Sequence, residues 1–106
     1  MYSALIMHKK EFEGFLRDAP KSVDLDDYEA VAHILPLDEN PNRFLSLAFE
    51  LTNSIDEHWS ENEGVEVMGD GRHRSTSVGD LVWLNNDGKE VGLFIVDNFG
   101  FKQVSY

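Results

Sequence analysis

The chain has 106 residues, 42% of them hydrophobic and 11% aromatic, with twenty acids against nine bases for a net charge of −11, and no cysteine. That length fits one domain, 1–106, with no second core, and the missing cysteines exclude disulfides and thiolate metal sites. A field of this sign disfavours direct contact with nucleic acid or an acidic membrane surface, and it speeds encounter with a basic partner.

The charge is segregated. Residues 1–70 carry sixteen acids and five bases, whereas residues 71–106 carry four of each. Small secreted domains usually need cross-links, so the absence of cysteine favours the cytoplasm. The opening Met1–Met7 is too short for a membrane span, which needs about 20 apolar residues. It also precedes His8-Lys-Lys10, the reverse of the order in a signal peptide.

In chain order, Phe12, Phe15 and Leu16 recur at helical spacing within His8–Ala19, predicting a short N-terminal helix that Pro20 ends. An acidic connector follows, and residues 1–27 read as an extension preceding an α+β core at 28–106. Tyr28–Leu35 suits helix or strand by spacing, and its Val and Ile, with Pro36 after it, favour strand. Next, Asn40 is a good N-cap and Pro41 a good first helical residue. Phe44, Ala48, Leu51 and Ile55 then mark the buried face of a helix over Pro41–Ile55. Asp56–Gly71 reads as a long loop with a short extended piece at Val65–Met68, and long loops often carry function.

The last third is β. Strands are expected at Ser77–Leu84, Val91–Val96 and Phe101–Tyr106, with Asn85-Asn-Asp-Gly88 as the first hairpin turn and Asp97-Asn-Phe-Gly100 as the second. The fold expected is α+β: a small antiparallel sheet of three to four strands packed on one main helix, plus the short N-terminal helix.

Catalytic patterns are scarce, and the expectation is a protein that is not an enzyme and uses no cofactor. His8, His33, His58 and His73 show no ligand pair at helical spacing. His58 stands among Asp56, Glu57, Glu61 and Glu63, which leaves a metal-dependent enzyme as the least favoured alternative. Ser75, Thr76 and Ser77 lie near His73 without a nucleophile elbow. Arg72-His73-Arg74 could hold an anion, but pairing with the acidic half of the same chain explains it better. The acids hold more promise. Asp24, Asp26, Asp27 and Glu29, with Asp56, Glu57, Glu61, Glu63 and Glu66, could imitate the phosphate charge of a duplex if they share a surface. Trp59 among them would be the anchor, unless it continues the apolar stripe of the helix into the core.

Four stretches together form a pattern: Phe49-Glu-Leu-Thr-Asn-Ser-Ile-Asp56, Trp59-Ser-Glu-Asn-Glu-Gly64, Arg74-Ser-Thr-Ser-Val-Gly-Asp80 and Val96-Asp-Asn-Phe-Gly-Phe101. The pattern resembles small uncharacterised proteins of phages, plasmids and other mobile elements, the YodL-like group, in which a Ser stands where this chain has Asn98. The likeness covers about residues 28–104, and its motifs bring no catalytic role. It implies an accessory protein acting in the host cytoplasm, where proteins that bind host components are common. The expected function is therefore a binding protein that engages a basic host protein, including a nucleic-acid-binding one, as an inhibitor or nucleic-acid mimic. The alternative is a general interaction or regulatory module using the sheet and the 56–71 loop.

Overall fold

The computed structural model describes residues 2–11, 20–35, 40–53, 64–68, 74–97 and 100–106. Six strands form one sheet: β1 (Tyr2–Lys9), β2 (Tyr28–Ile34), β3 (Val65–Val67), β4 (Leu81–Asn86), β5 (Lys89–Asp97) and β6 (Gly100–Val104). Their order across the sheet is β3-β2-β1-β4-β5-β6, and every neighbouring pair is antiparallel. One helix, α1 (Pro41–Leu51), lies over β1 and β4.

The expected sheet of three to four strands is corrected to six, and the N-terminal helix over His8–Ala19 is not formed where it should begin. His8 and Lys9 end β1, Lys10 and Glu11 are not helical, and Phe12–Ala19 lie outside the described residues. Residues 2–9, placed by sequence in an extension outside the core, instead form a strand flanked on both sides. The physical reason is burial on both faces. Ala4, Ile6 and Met7 are all buried, so β1 shows a continuous apolar run instead of the two-residue alternation that marks a half-exposed strand. β3, only three residues long, falls on the short extended piece expected at Val65–Met68 within the 56–71 loop.

Asn40 caps α1 as its residue type predicts: its Oδ1 accepts from the backbone N–H of Asn42 (3.0 Å) and Arg43 (3.1 Å). The helix stops at Leu51, short of the expected Ile55, which lies outside the described residues. Thr52 closes the helix, turning its hydroxyl back to donate to the Ala48 carbonyl at 2.8 Å. Phe44, Leu45 and Ala48 pack on Ala4, Ile6, Ala32, Ile34, Val82, Leu84 and Val96, the face of the sheet beneath the helix. The opposite face buries Met7, Tyr28, Leu81, Leu93, Ile95 and Val104, over which Val23 and Leu25 of the connector are laid. The β4–β5 turn matches its signal. Asp87 (φ 51°) and Gly88 (φ 84°) form a two-residue loop with both residues left-handed, the conformation whose twist fits a hairpin.

Among the described residues no helix is long and apolar enough to cross a membrane.

Candidate functional site

The acidic residues are placed by the connector between β1 and β2. Its first part joins the end of β6: the Val23 N–H donates to the Ser105 carbonyl (2.9 Å) and the Ser105 N–H to the Lys21 carbonyl (3.0 Å). The chain then crosses the sheet and tightens into a single 3-10 turn at Leu25–Asp27. Asp24 caps that turn, its Oδ1 accepting from the Asp26 N–H at 3.0 Å and its carbonyl from the Asp27 N–H at 3.0 Å. The Lys10 N–H donates to the Asp27 carbonyl at 2.9 Å, tying the turn to the end of β1. Leu25 is the apolar anchor, packed towards the sheet, while Asp24, Asp26 and Asp27 are exposed. The alternation within Asp24-Leu-Asp-Asp27 thus holds three carboxylates on one fixed piece of backbone. Beside them lies a polar cleft of about 320 Å³ lined by Lys9, Lys10, Glu11, Asp26 and Asp27.

Glu29 follows closely in sequence but faces differently. It pairs in register with His8, whereas Glu66 on β3 pairs with His33. A bulge at Val31, between the Ile6–Ala32 and Met7–Ala30 pairs, reverses the alternation along β2. Glu29 therefore stands on the α1 side of the sheet and Glu66 on the other. Both are exposed. The structure brings together Asp24, Asp26 and Asp27, with Glu29 at the same end of the sheet, and does not bring Glu66 to them. Asp56, Glu57, Trp59, Glu61 and Glu63 lie outside the described residues, as do His58 and His73.

A second polar constellation was not foreseen. At the end of β1, His8 Nε2 lies 2.9 Å from the Thr76 hydroxyl and 3.9 Å from Asp80 Oδ2. His8, Thr76 and Asp80 are 2%, 0% and 1% exposed. Arg74 grips Asp80 with two parallel bonds, Nη1 to Oδ2 at 2.6 Å and Nη2 to Oδ1 at 2.7 Å. Its Nη2 also donates to the Lys9 carbonyl at 3.2 Å and its Nη1 to the Ser75 carbonyl at 3.1 Å. Asp80 further accepts from the Lys9 N–H (2.9 Å) and the Ser77 N–H (2.7 Å). On the other side, the Thr76 N–H donates to the Thr52 carbonyl (2.8 Å), and Asn53 Nδ2 donates to the Thr76 carbonyl (2.6 Å). The 74–80 segment thus locks the end of β1 to the end of α1.

Hydroxyl, imidazole and carboxylate in one cluster invite comparison with a nucleophile and its base. Here the hydroxyl is sealed from solvent and both carboxylate oxygens are already filled by four donors, so no substrate can reach the group in this arrangement. Among the described residues every buried side-chain nitrogen and oxygen has a partner. A closed network of this kind holds a fold together.

No protein-family model, curated protein or solved structure matches the chain.

The likeness to mobile-element proteins accordingly rests on the quoted motifs alone. Of those motifs, Ser77-Val-Gly-Asp80 has a clear structural office. Ser77–Asp80 is a tight turn, with Asp80 N–H donating to the Ser77 carbonyl at 3.0 Å and Gly79 at φ 98°, a backbone conformation that favours glycine. The basic spot was expected to pair with the acidic half of the chain; the carboxylate that Arg74 grips is instead Asp80, in the neutral third. No local spacing could have revealed the cluster, because His8 and Thr76 are 68 positions apart.

Proposed function

We propose that this chain is a non-enzymatic binding protein that engages a basic surface of a host protein through the carboxylates of the Asp24–Asp27 turn. The observation that carries the reading is the exposure of Asp24, Asp26 and Asp27 together on a turn whose backbone is held by hydrogen bonds at both ends. Fixed charges of one sign meet an opposite surface without first paying to order a loop. The remaining excess of acid in residues 1–70 extends the field and steers a basic partner. Phosphate imitation is the specific form of this reading, and action in the cytoplasm of a phage- or plasmid-bearing host is what the motif likeness adds.

The test is a pull-down from host lysate with wild type and with the D24N/D26N/D27N variant. Wild type should recover a basic protein at ordinary ionic strength and lose it at ~1 M salt, where charges beyond about 3 Å are screened. The triple variant should recover about tenfold less, as removal of several interfacial charges does. The same protein held by wild type at ~1 M salt, or held equally by the triple variant, rejects the reading.

The interaction-module alternative gains one observation of its own. α1 packs on one face of the sheet, and on the opposite face Leu5, His33 and Trp83 stay half-exposed.

A further inference from the structure

Trp83 sits in the middle of β4, level with Leu5 on β1 and Leu93 on β5, on the face that α1 leaves open. The two-residue turn at Asp87–Gly88 sets Asn86 against Lys89 and Asn85 against Glu90, so Glu90 stands diagonally across from Trp83. The indole Nε1–H donates to Glu90 Oε1 at 2.8 Å. Tyr106 folds against the same ring, with centroids 5.0 Å apart and planes at 60°, and its hydroxyl donates to the same Oε1. Both donors therefore converge on one oxygen. Glu90 Oε2 receives neither bond, and among the described residues no cation pairs with Glu90. Tyr106 is 58% exposed, so an aromatic surface stays open beside an anion that pairs with no cation among the described residues.

We propose that Trp83, Tyr106 and Glu90 form a receiving site for a guanidinium side chain of the partner. The inference rests on the reading of a basic partner and adds a second point of contact, on the open face of the sheet. A planar, weakly hydrated guanidinium can stack on an aromatic ring while its N–H edge meets Oε2, whereas an ammonium must give up more hydration and cannot stack. The two hydrogen bonds on Oε1 hold the carboxylate still in advance, which lowers the ordering cost of the contact.

The phenol of Tyr106 reports on the site. Its pKa is raised above the ordinary value, first by the hydrogen bond it gives to Glu90, then by burial, then by the charge of Glu90. That interaction favours the neutral phenol, so its contribution to folding is complete below the unfolded value near 10 and is lost as pH rises through the raised value. Glu90→Gln removes the charge and should return Tyr106 towards ordinary titration, followed by the ultraviolet absorbance of tyrosinate. An unchanged titration curve would show that Glu90 does not govern the phenol.

The binding test uses a peptide of six arginines, a matching peptide of six lysines, and the Trp83 indole N–H resonance in a proton–nitrogen spectrum, assigned with W83F. Hexa-arginine should shift that resonance saturably. E90Q, which keeps an exposed side chain of the same shape, should weaken the effect at least about fivefold, and hexa-lysine should bind distinctly less well than hexa-arginine. Equal binding by wild type and E90Q, or equal affinity for the two peptides, overturns the guanidinium site. Binding kept in E90Q but lost in D24N/D26N/D27N also overturns it while leaving the acidic turn as the contact. Binding lost in E90Q and kept in the triple variant upholds the site and removes the turn.

Discussion

Asp80→Asn should lower the free energy of unfolding by about 3 kcal/mol, the scale for removing one partner from a buried charged pair. The loss follows from a count of donors. Oδ1 receives the Lys9 N–H and Arg74 Nη2, and Oδ2 receives the Ser77 N–H and Arg74 Nη1. An asparagine accepts on one side only, so its amide nitrogen would face two donors across bonds of about this length, with no room for water at a residue 1% exposed. For a domain of this size the melting temperature should fall by roughly 15 °C. Arg74→Ala should cost less, about 1–2 kcal/mol, because the Arg74 side chain is 28% exposed and Asp80 keeps both backbone donors. The two changes share one set of bonds, so their losses in the double variant should fall short of additivity. Urea unfolding of the four proteins measures all of this. A loss within about 1 kcal/mol for Asp80→Asn would mean that the network adds little to stability.

What was legible in the sequence was what depends on near neighbours. Asn40-Pro41 announced a helix start because a side-chain acceptor is needed within three residues of the orphan N–H groups, and the structure supplies those bonds. Asn85-Asn-Asp-Gly88 announced a hairpin turn, and the structure closes it at Asp87–Gly88 with left-handed backbone. The register of that hairpin also sets Glu90 diagonally across from Trp83. Tyr28–Ile34 leaned to strand on its branched side chains, and β2 spans that range. β1 escaped because being central erases alternation, and a helical pattern starting at His8 competed for its end. The His8–Thr76–Asp80–Arg74 network escaped for a different reason. Its members meet only after β1 and β4 have paired, so their chemistry is a product of the topology and has no local spacing.

The six-stranded sheet also changes where the apolar residues do their work. With three or four strands, one helix would cover most of one face. With six, α1 covers the middle of one face, and on the other Val23 and Leu25 of the connector join Leu5 and Trp83 around a second cluster. Among the described residues the two faces are therefore unequal, one packed by α1 and the other by the connector.

That inequality makes the last prediction. Phe44→Ala should cost about 3–5 kcal/mol, the range for truncating a fully buried aromatic. Phe44 is 0% exposed, packs on the sheet from the first turns of α1, and touches Tyr2 with ring centroids 6.5 Å apart. Neither side of the cavity can close readily, because Ala4 and Ala48 beside it are already small and the strands beneath are fixed by their ladder. Trp83→Ala removes a larger ring but a half-exposed one, on the face opposite α1, and should cost no more than about 2 kcal/mol. Hydrogen exchange distinguishes the mechanisms as well as the magnitudes. Phe44→Ala should speed exchange in α1 and in β1 together, since the helix and the strand stabilise each other, whereas Trp83→Ala should leave α1 protected. A Trp83 variant as damaging as the Phe44 variant would place the core on both faces equally, and the open face would then be a part of the interior instead of a surface for a partner.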